Sequence, residues 1–302
     1  MIIVGAGLAG LLAAHAWPSA EIVEAAPAPH PSHAAILRFR SDIVSKLVGI
    51  EFRKVRVHKG IFNGGMFVEP SIRLANQYSK KILGGFAGDR SVWNVAPVDR
   101  WIAPESLYAE LVEFTRNRVS WGSRFDWERN LAEGFTTPPI INTAPLPVVL
   151  ESLAVDQVPQ FRRAPILVDR CRVPNADVFQ TVYFPTPFHS VYRASITGDL
   201  LIIEHAGDKR FGDYWIDVAE AFSLEAVDAI DSTAQQFGKI APIGESERKR
   251  FLFDLTHKYG IYSLGRFATW RNILLDDVVN DINVIKLMLR MNTAYDMRRA
   301  AT

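Results

Sequence analysis

The hydrophobic pattern at the start of the chain predicts a strand, a turn, a helix and a second strand. Residues 2–4 are continuously apolar, as in a buried strand, and residues 11–16 are the small and apolar residues of a packed helix. The sequence Gly5-x-Gly7-x-x-Gly10 stands between them. Residues 21–24 predict the second strand, which ends in Glu24, 19 positions after Gly5. This order, with a terminal acid at about 20 residues, is typical of a dinucleotide-binding unit.

The three glycines of this turn have different physical roles. Gly5 permits a sharp turn, Gly7 leaves space where a pyrophosphate approaches the backbone, and Gly10 permits close packing of the helix. The first turn of the helix offers free N–H groups and a partial positive charge to phosphates. A signal peptide is the alternative for such an apolar beginning, but no basic residues precede the apolar run.

Later in the chain the pattern predicts a β-rich region and several helices. Four strands are predicted at 166–169, 178–183, 191–196 and 200–204, with Gly198-Asp199 as a tight antiparallel turn. Further strands are predicted at 52–59, 92–95, 119–121, 140–144 and 261–264. Helices are predicted at 41–48, 73–81, 101–117, 214–222, 223–238 and about 273–291, and residues 247–259 are basic and then apolar, with a solvated basic face.

These elements predict an α/β protein with a Rossmann-type domain and an inserted, mainly antiparallel β substrate domain. We expect residues 1–60, 96–150 and 255–302 to form the first domain discontinuously. Residues 61–95 and 151–254 are expected to form the substrate domain. A length of 302 residues suits one large or two medium domains.

Composition adds few constraints to this picture. The net charge of +1 predicts no particular partner. Cys171 is the single cysteine, so we expect no disulfide, no cysteine metal cluster and a buried apolar role for this side chain. No run of about 18 apolar residues is present, so we expect no membrane-spanning helix and a cytoplasmic location.

Two further junctions between a strand and a helix are candidate ligand sites. The strand that begins at Ile140 ends in Thr143, Ala144 and Pro145. Open α/β sheets bind ligands at the carboxyl ends of their strands. An ordinary exit from strand to loop is the alternative. The strand at 261–264 enters Gly265 and Arg266 before an amphipathic helix, whose N-terminus can again face phosphate.

Two basic segments are candidate anion-binding surfaces. Arg38 and Arg40 share one face of an extended segment, so they suit either phosphate binding or simple solvation. Residues 53–59 alternate apolar and basic side chains. One interpretation is a basic groove that binds an anion, and the other is an edge strand whose charges prevent aggregation.

Together, the three junctions resemble those of the glutathione-reductase-type flavoproteins, in the branch of UDP-galactopyranose mutase, protoporphyrinogen oxidase and the flavin amine oxidases. The resemblance implies FAD as cofactor and no metal. It also implies contacts to the ADP half, the pyrophosphate, the ribityl chain or the flavin from Gly5, Ala6, Gly7, Leu8, Ala9, Gly10, Glu24, Arg38, Arg40, Thr143, Ala144, Pro145, Gly265, Arg266, Trp270 and Arg271. The sequence lacks the Gly-Gly-Arg that usually follows the acid in this branch, and residues 33–40 stand in its place.

The chain is also similar to short bacteriophage flavoproteins, through Ala-Ile-Leu-Arg-Phe-Arg at 35–40 and Leu-Gly-Arg-Phe-Ala-Thr-Trp at 264–270. Some of these are FAD-dependent lyases of thymidine hypermodification. That likeness implies cleavage of a glycine-derived amine adduct on DNA thymidine to aminomethyl-thymidine, which protects phage DNA from restriction in the host cytoplasm. An amine oxidase or mutase acting on a small molecule, and a non-catalytic flavin-binding protein, stay open. His33, His189 and Tyr262 are candidate catalytic residues, each with a structural alternative.

Overall fold

In the computed structural model, the residues described are 1–30, 37–86, 88, 92–132 and 138–300. The strands are β1 Ile2–Val4, β2 Glu21–Val23, β3 Arg38–Phe39, β4 Arg53–Ile61, β5 Val98–Ile102, β6 Val119–Ser120, β7 Ile140–Asn142, β8 Arg163–Arg172, β9 Val178–Tyr183, β10 Val191–Gly198, β11 Leu200–Ala206, β12 Asp228–Ile240 and β13 Ile261–Ser263. The helices are α1 Leu8–Ala16, α2 Ile43–Val48, α3 Ile72–Leu83, α4 Leu107–Thr115, α5 Trp127–Ala132, α6 Leu146–Ser152, α7 Tyr214–Phe222, α8 Glu245–Tyr259 and α9 Leu275–Ala300.

The first sheet is parallel and has the strand order β13-β7-β1-β2-β6. Its strands are short and apolar because helices cover both faces. One face packs against a cluster that includes α1 and α9, and the other packs against a cluster that includes α6 and α8. The three strands that precede the candidate junctions, β1, β7 and β13, are neighbours. Their carboxyl ends therefore meet at one edge of the sheet.

The second sheet has eight strands in the order β12-β8-β11-β10-β9-β4-β5-β3. Its pairs are antiparallel except for β4 and β9, which run parallel. The sheet is curled, as the side chain of Arg38 on the edge strand β3 shows: it donates hydrogen bonds to Thr181 on β9 and Thr197 on β10. We call the side that Arg38 crosses the concave face. Helix α3 covers part of this face, and α7 packs on the opposite face.

The α/β class and the parallel and antiparallel sheets confirm the fold that the sequence predicts. The four predicted antiparallel strands are β8 to β11, and the tight turn follows Gly198, which has φ +66°. Helix α7 has the predicted bounds. Cys171 is buried among apolar side chains, as expected. Within the described part of the chain, no helix has the length and apolar character needed to cross a membrane.

The helix predicted at 223–238 is wrong, because this segment forms the long strand β12, paired with β8. Ser223, which we interpreted as the helix start, instead ends α7 in a left-handed conformation with φ +53°. Side chains along β12 alternate between exposed and half-buried, and Ile230, Thr233 and Phe237 favour a strand. Pairing with a strand some 60 residues away decides the structure here.

The strand predicted at 92–95 is also wrong, since none of the strand pairs found in the described residues includes it. Val92 is buried against side chains of α3 instead. Trp101, which we expected near the start of a helix, lies in β5, and α4 begins at Leu107. The predicted domain boundary after residue 60 falls inside β4, which belongs to the eight-stranded sheet.

Candidate dinucleotide-binding site

A cavity of about 1010 Å³ lies at the carboxyl ends of the parallel strands. This volume is at the upper end of the range for small-molecule sites, roughly 300–1,000 Å³, and suits an extended dinucleotide. All three junctions contribute to its lining. From the predicted cofactor-binding set, the lining residues are Gly5, Gly7, Leu8, Ala9, Glu24, Arg38, Thr143, Ala144, Pro145, Gly265 and Arg266.

The turn between β1 and α1 is closely packed except at Gly7. Gly5 has φ +100°, and a Cβ atom there would overlap the Thr143 hydroxyl. A Cβ atom at Gly10 would overlap the carbonyl oxygen of Gly5. At Gly7, by contrast, a Cβ atom would have no neighbour within 4 Å. The space beside Gly7 belongs to the cavity, so this glycine leaves room for a ligand.

The N-terminus of α1 faces the cavity with its backbone donors available. Gly7 is the N-cap and therefore provides no capping side chain, and the first turn carries no acid. Gly7, Leu8 and Ala9 line the cavity. Free N–H groups and the positive end of a helix dipole are a suitable site for phosphate.

Glu24 is held at the same end of the cavity by two backbone donors. Its Oε2 accepts a hydrogen bond from the Ala6 N–H at 2.6 Å, and its Oε1 accepts one from the Ala26 N–H at 2.8 Å. A carboxylate oxygen has a second lone pair, so each can still accept a ribose hydroxyl.

The junction after β7 is fastened to the glycine-rich turn. The Thr143 hydroxyl donates to the carbonyl oxygen of Val4 at 2.7 Å. Asn142 is fully buried, and its Oδ1 accepts from the Ala144 N–H at 2.9 Å. Pro145 then caps α6. Asn142 was not among the predicted site residues, although a polar residue ending an apolar strand was a usable signal.

The junction after β13 packs against the first turn of α1. Gly265 has φ +91°, and a Cβ atom there would lie 2.7 Å from the Cβ of Ala9. The Thr269 hydroxyl donates to the carbonyl oxygen of Gly265 at 2.7 Å and holds this loop. Arg266 lines the cavity and donates from Nη2 to the carbonyl oxygen of Gly238 at 3.1 Å. The third junction therefore completes the cavity wall beside α1.

Three of the predicted cofactor-binding side chains are engaged away from the cavity. Arg40 forms an ion pair with Asp277, and Arg271 forms one with Asp281. Trp270 is buried and donates from Nε1 to the carbonyl oxygen of Ala241 at 2.9 Å. These contacts fasten α9 and the loop before it. The two remaining predicted residues, Ala6 and Gly10, belong to the turn but do not line the cavity.

The structure brings neither described catalytic candidate to the cavity. His189 is buried, with Nε2 3.0 Å from Oδ2 of Asp217, and burial and the charge of Lys81 lower its pKa. The hydroxyl of Tyr262 accepts from Nδ2 of Asn292 at 2.9 Å, and burial raises its pKa. His33 lies outside the described residues.

Apolar and aromatic side chains form much of the remaining wall, and the sequence did not identify them. Phe125 and Trp127 stand at one end of the cavity with their rings 4.7 Å apart, and Gln235 and Phe237 project from β12. Other lining residues are Leu37, Phe39, Ser123, Arg124, Val148, Phe267, Leu274, Leu275 and Val278. Flat apolar walls of this kind suit aromatic ring systems.

No family model and no curated protein matches the sequence. The crystal structure of reduced UDP-galactopyranose mutase is similar, with a TM-score of 0.65 and 14% identity over 96% of this chain and 93% of that one. An oxidoreductase from Methanosarcina mazei has a TM-score of 0.56 and 10% identity over 94% and 99% of the two chains. Aklavinone-11 hydroxylase, solved in a complex with FAD and aklavinone, has a TM-score of 0.50 and 12% identity over 87% and 56%. At these identities the likenesses show that the chain shares the fold of these three structures.

Proposed function

We propose that the chain binds FAD in this cavity and is a FAD-dependent enzyme of the oxidoreductase or mutase type. The observation that carries the proposal is the meeting of three junctions, after β1, β7 and β13, around one cavity of dinucleotide size. The similar solved structures include a mutase, an oxidoreductase and a hydroxylase in complex with FAD, which supports the choice of cofactor.

The residues of the cavity suit the parts of FAD. Backbone N–H groups at Gly7 and Leu8 face the space for a pyrophosphate, and Glu24 can accept ribose hydroxyls. Arg266 adds positive charge, and the wall at Phe237 is apolar. When bound, FAD would supply an acceptor for a hydride from a carbon next to nitrogen or oxygen. The protein would position the substrate and exclude water from the cavity.

The finer proposal is a lyase of DNA hypermodification. Its substrate would be a glycine-derived amine on the 5-methylene group of thymidine. Two-electron oxidation of the glycyl carbon gives an imine, and water hydrolyses it to aminomethyl-thymidine and glyoxylate, with dioxygen as the final electron acceptor. The support is the likeness of segments 35–40 and 264–270 to phage flavoproteins. The 5-substituent of thymidine lies in the major groove, where a protein can approach it.

The basic segment 53–59, a candidate anion-binding surface, gives this finer proposal little support. Arg56 and Lys54 pair with Asp99 at 2.9 and 3.2 Å, and Arg53 pairs with Asp177 at 3.3 Å. Each of these three cations therefore already has a carboxylate partner on the protein surface, although two of them share one. β4 also lies between β9 and β5, so it is not an edge strand.

Nucleoside mass spectrometry distinguishes the candidate functions. The purified protein is incubated with DNA that carries the glycyl adduct and, separately, with free small amines. Appearance of aminomethyl-thymidine supports the lyase. Consumption of a free amine with the DNA adduct untouched supports an amine oxidase instead. A yellow protein that turns over neither substrate nor any related amine would contradict the enzymatic proposal.

A further inference from the structure

Basic side chains gather on the concave face of the eight-stranded sheet. Residues directly opposite each other on paired strands share a face. Lys59 on β4 is opposite Thr181 of β9, and Arg193 on β10 is opposite Tyr183 of β9. Thr181 and Tyr183 are two residues apart on one strand, so they lie on the same face. Arg100 on β5 is opposite Val55, which lies on the same face of β4 as Lys59. The register therefore places these three cationic side chains on the face that Arg38 crosses. Arg53, which is opposite Ile102, is also on this face but pairs with Asp177.

Arg38 is fixed on this face by uncharged acceptors. Its Nη1 donates to the Thr181 hydroxyl at 2.7 Å, and its Nε donates to the Thr197 hydroxyl at 2.9 Å. Its Nη2 donates to the backbone carbonyl oxygens of Gln180 and Ile196. These bonds give the guanidinium N–H groups acceptors, but none of the acceptors carries a negative charge.

Carboxylates are scarce around this group of cations. Among the residues that the structure describes, no carboxylate forms an ion pair with Arg38, Lys59 or Arg100. Arg193 pairs with Glu204, which also accepts from the Tyr192 hydroxyl at 2.8 Å. Burial and the charge of Arg100 lower the pKa of Lys59. Burial and the charges of Arg193 and Arg100 lower the pKa of Arg38 to about 10. The cations thus repel one another in a partly desolvated site.

The opposite face of the same strands is built differently. There Lys54 and Arg56 point to solvent, and both pair with Asp99. The two exposed cations therefore share one carboxylate. On the concave face Arg193 has a carboxylate partner, but Arg38, Lys59 and Arg100 have none among the described residues. An excess of buried positive charge costs free energy unless an anion completes the site.

We propose that Lys59, Arg100 and Arg193, with Arg38 fixed beside them, bind an anionic group of the substrate, a carboxylate or a phosphate. The inference rests on the proposed function, because Arg38 also lines the cavity assigned to FAD and so joins the two sites. A glycine-derived amine carries a carboxylate, which is an anion of this class. Guanidinium and ammonium groups bind both anions through charge-assisted hydrogen bonds.

The test measures anion binding in matched variants. Lys59→Gln and Arg100→Gln each remove one positive charge from the concave face. Lys54→Gln removes the same charge from the opposite face of the same strand and serves as the control. Benzoate and phenyl phosphate are the anionic probes, benzyl alcohol is the neutral probe, and ionic strength is held constant. Binding is followed by the thermal shift of the protein and by the flavin absorption spectrum.

We expect the wild type and Lys54→Gln to bind an anionic probe with similar affinity, and each concave-face variant to bind it about tenfold or more weakly. The preference between benzoate and phenyl phosphate identifies the anion. Without probe, Lys59→Gln should unfold at the same or a higher temperature, because repulsion is relieved. Equal anion affinity in all variants, or no anion binding by a wild-type protein that holds FAD, would overturn the inference. A wild-type protein that cannot hold FAD would contradict the proposed function instead.

Discussion

Gly7 and Gly10 are three residues apart and have opposite surroundings. A side chain at Gly7 would enter the cavity, whereas one at Gly10 would overlap the protein backbone. The backbone at Gly7 has φ −70° and ψ 175°, which other residues adopt readily. Substitution of Gly7 should therefore affect ligand binding, and substitution of Gly10 should affect folding.

For Gly7→Val we expect a folded protein with strongly weakened FAD binding, because the new side chain occupies the space for the pyrophosphate. The free energy of unfolding without FAD should change by no more than about 1 kcal/mol, the usual range for a helix N-cap. Gly10→Val should instead lower it by roughly 1–3 kcal/mol or more through overpacking. Denaturant unfolding and FAD titration measure both effects. Similar losses of stability in the two variants would contradict this separation.

Glu24→Ala should weaken FAD binding by about 1–3 kcal/mol, because it deletes a charged hydrogen-bond acceptor. Glu24→Gln is the matched control, since its amide oxygen can still accept while the charge is lost. We expect it to lie between the wild type and Glu24→Ala in an FAD titration. If Glu24→Ala bound FAD as tightly as the wild type, the ribose would not contact Glu24.

At the scale of the element, the sequence predicted β1, β7 and β13 well because local signals agree. Their apolar runs and the residues that follow them, such as Gly5 and Gly265, are visible in sequence. β12 was missed because its polar residues and the preceding Ser223 resemble a helix start, and only pairing with β8 makes it a strand. The partners of Arg40 and Arg271 lie on α9, and local patterns carry no information about such contacts.

Gly265→Ala tests the packing of the third junction. Gly265 has φ +91°, and its added Cβ would press on Ala9, so we expect a loss of stability and of FAD affinity. Gly260→Ala is the control, since Gly260 has φ +64° but open space for a Cβ. The control should lose about 1 kcal/mol of unfolding free energy, the cost of a left-handed backbone conformation at alanine. Gly265→Ala should lose more, because its Cβ also meets Ala9. Equal losses in denaturant unfolding would show that the contact with α1 adds nothing.

At the scale of the whole molecule, the two sheets enclose the cavity between them. β12 and β3 are the two edges of the curled sheet, yet Phe237 and Arg38 from these edges both line the cavity. The buried group of Tyr192, Arg193 and Glu204 joins neighbouring strands of this sheet. Burial alone would raise the pKa of Glu204, but the charges of Arg193 and Lys239 lower it to about 2.

This shift predicts a pH dependence of stability. An acid with a lowered pKa in the folded state stabilises the fold above its unfolded pKa, about 4.3, and loses that contribution as the pH falls toward 2. We expect the free energy of unfolding to fall between about pH 5 and pH 2, by about 3 kcal/mol from this group. Glu204→Gln should have a shallower pH dependence in denaturant unfolding. An unchanged slope would show that Glu204 is not responsible.

Identification of the cofactor that copurifies with the protein tests the central claim most directly. The protein is heated, the precipitate is removed, and the released compound is separated by chromatography against standards of FAD, FMN, NAD and ADP. We expect a yellow protein that releases FAD, because the cavity at the three junctions has groups for both halves of a dinucleotide. Release of NAD, or of FMN alone, or a colourless protein that fails to bind added FAD, would contradict it.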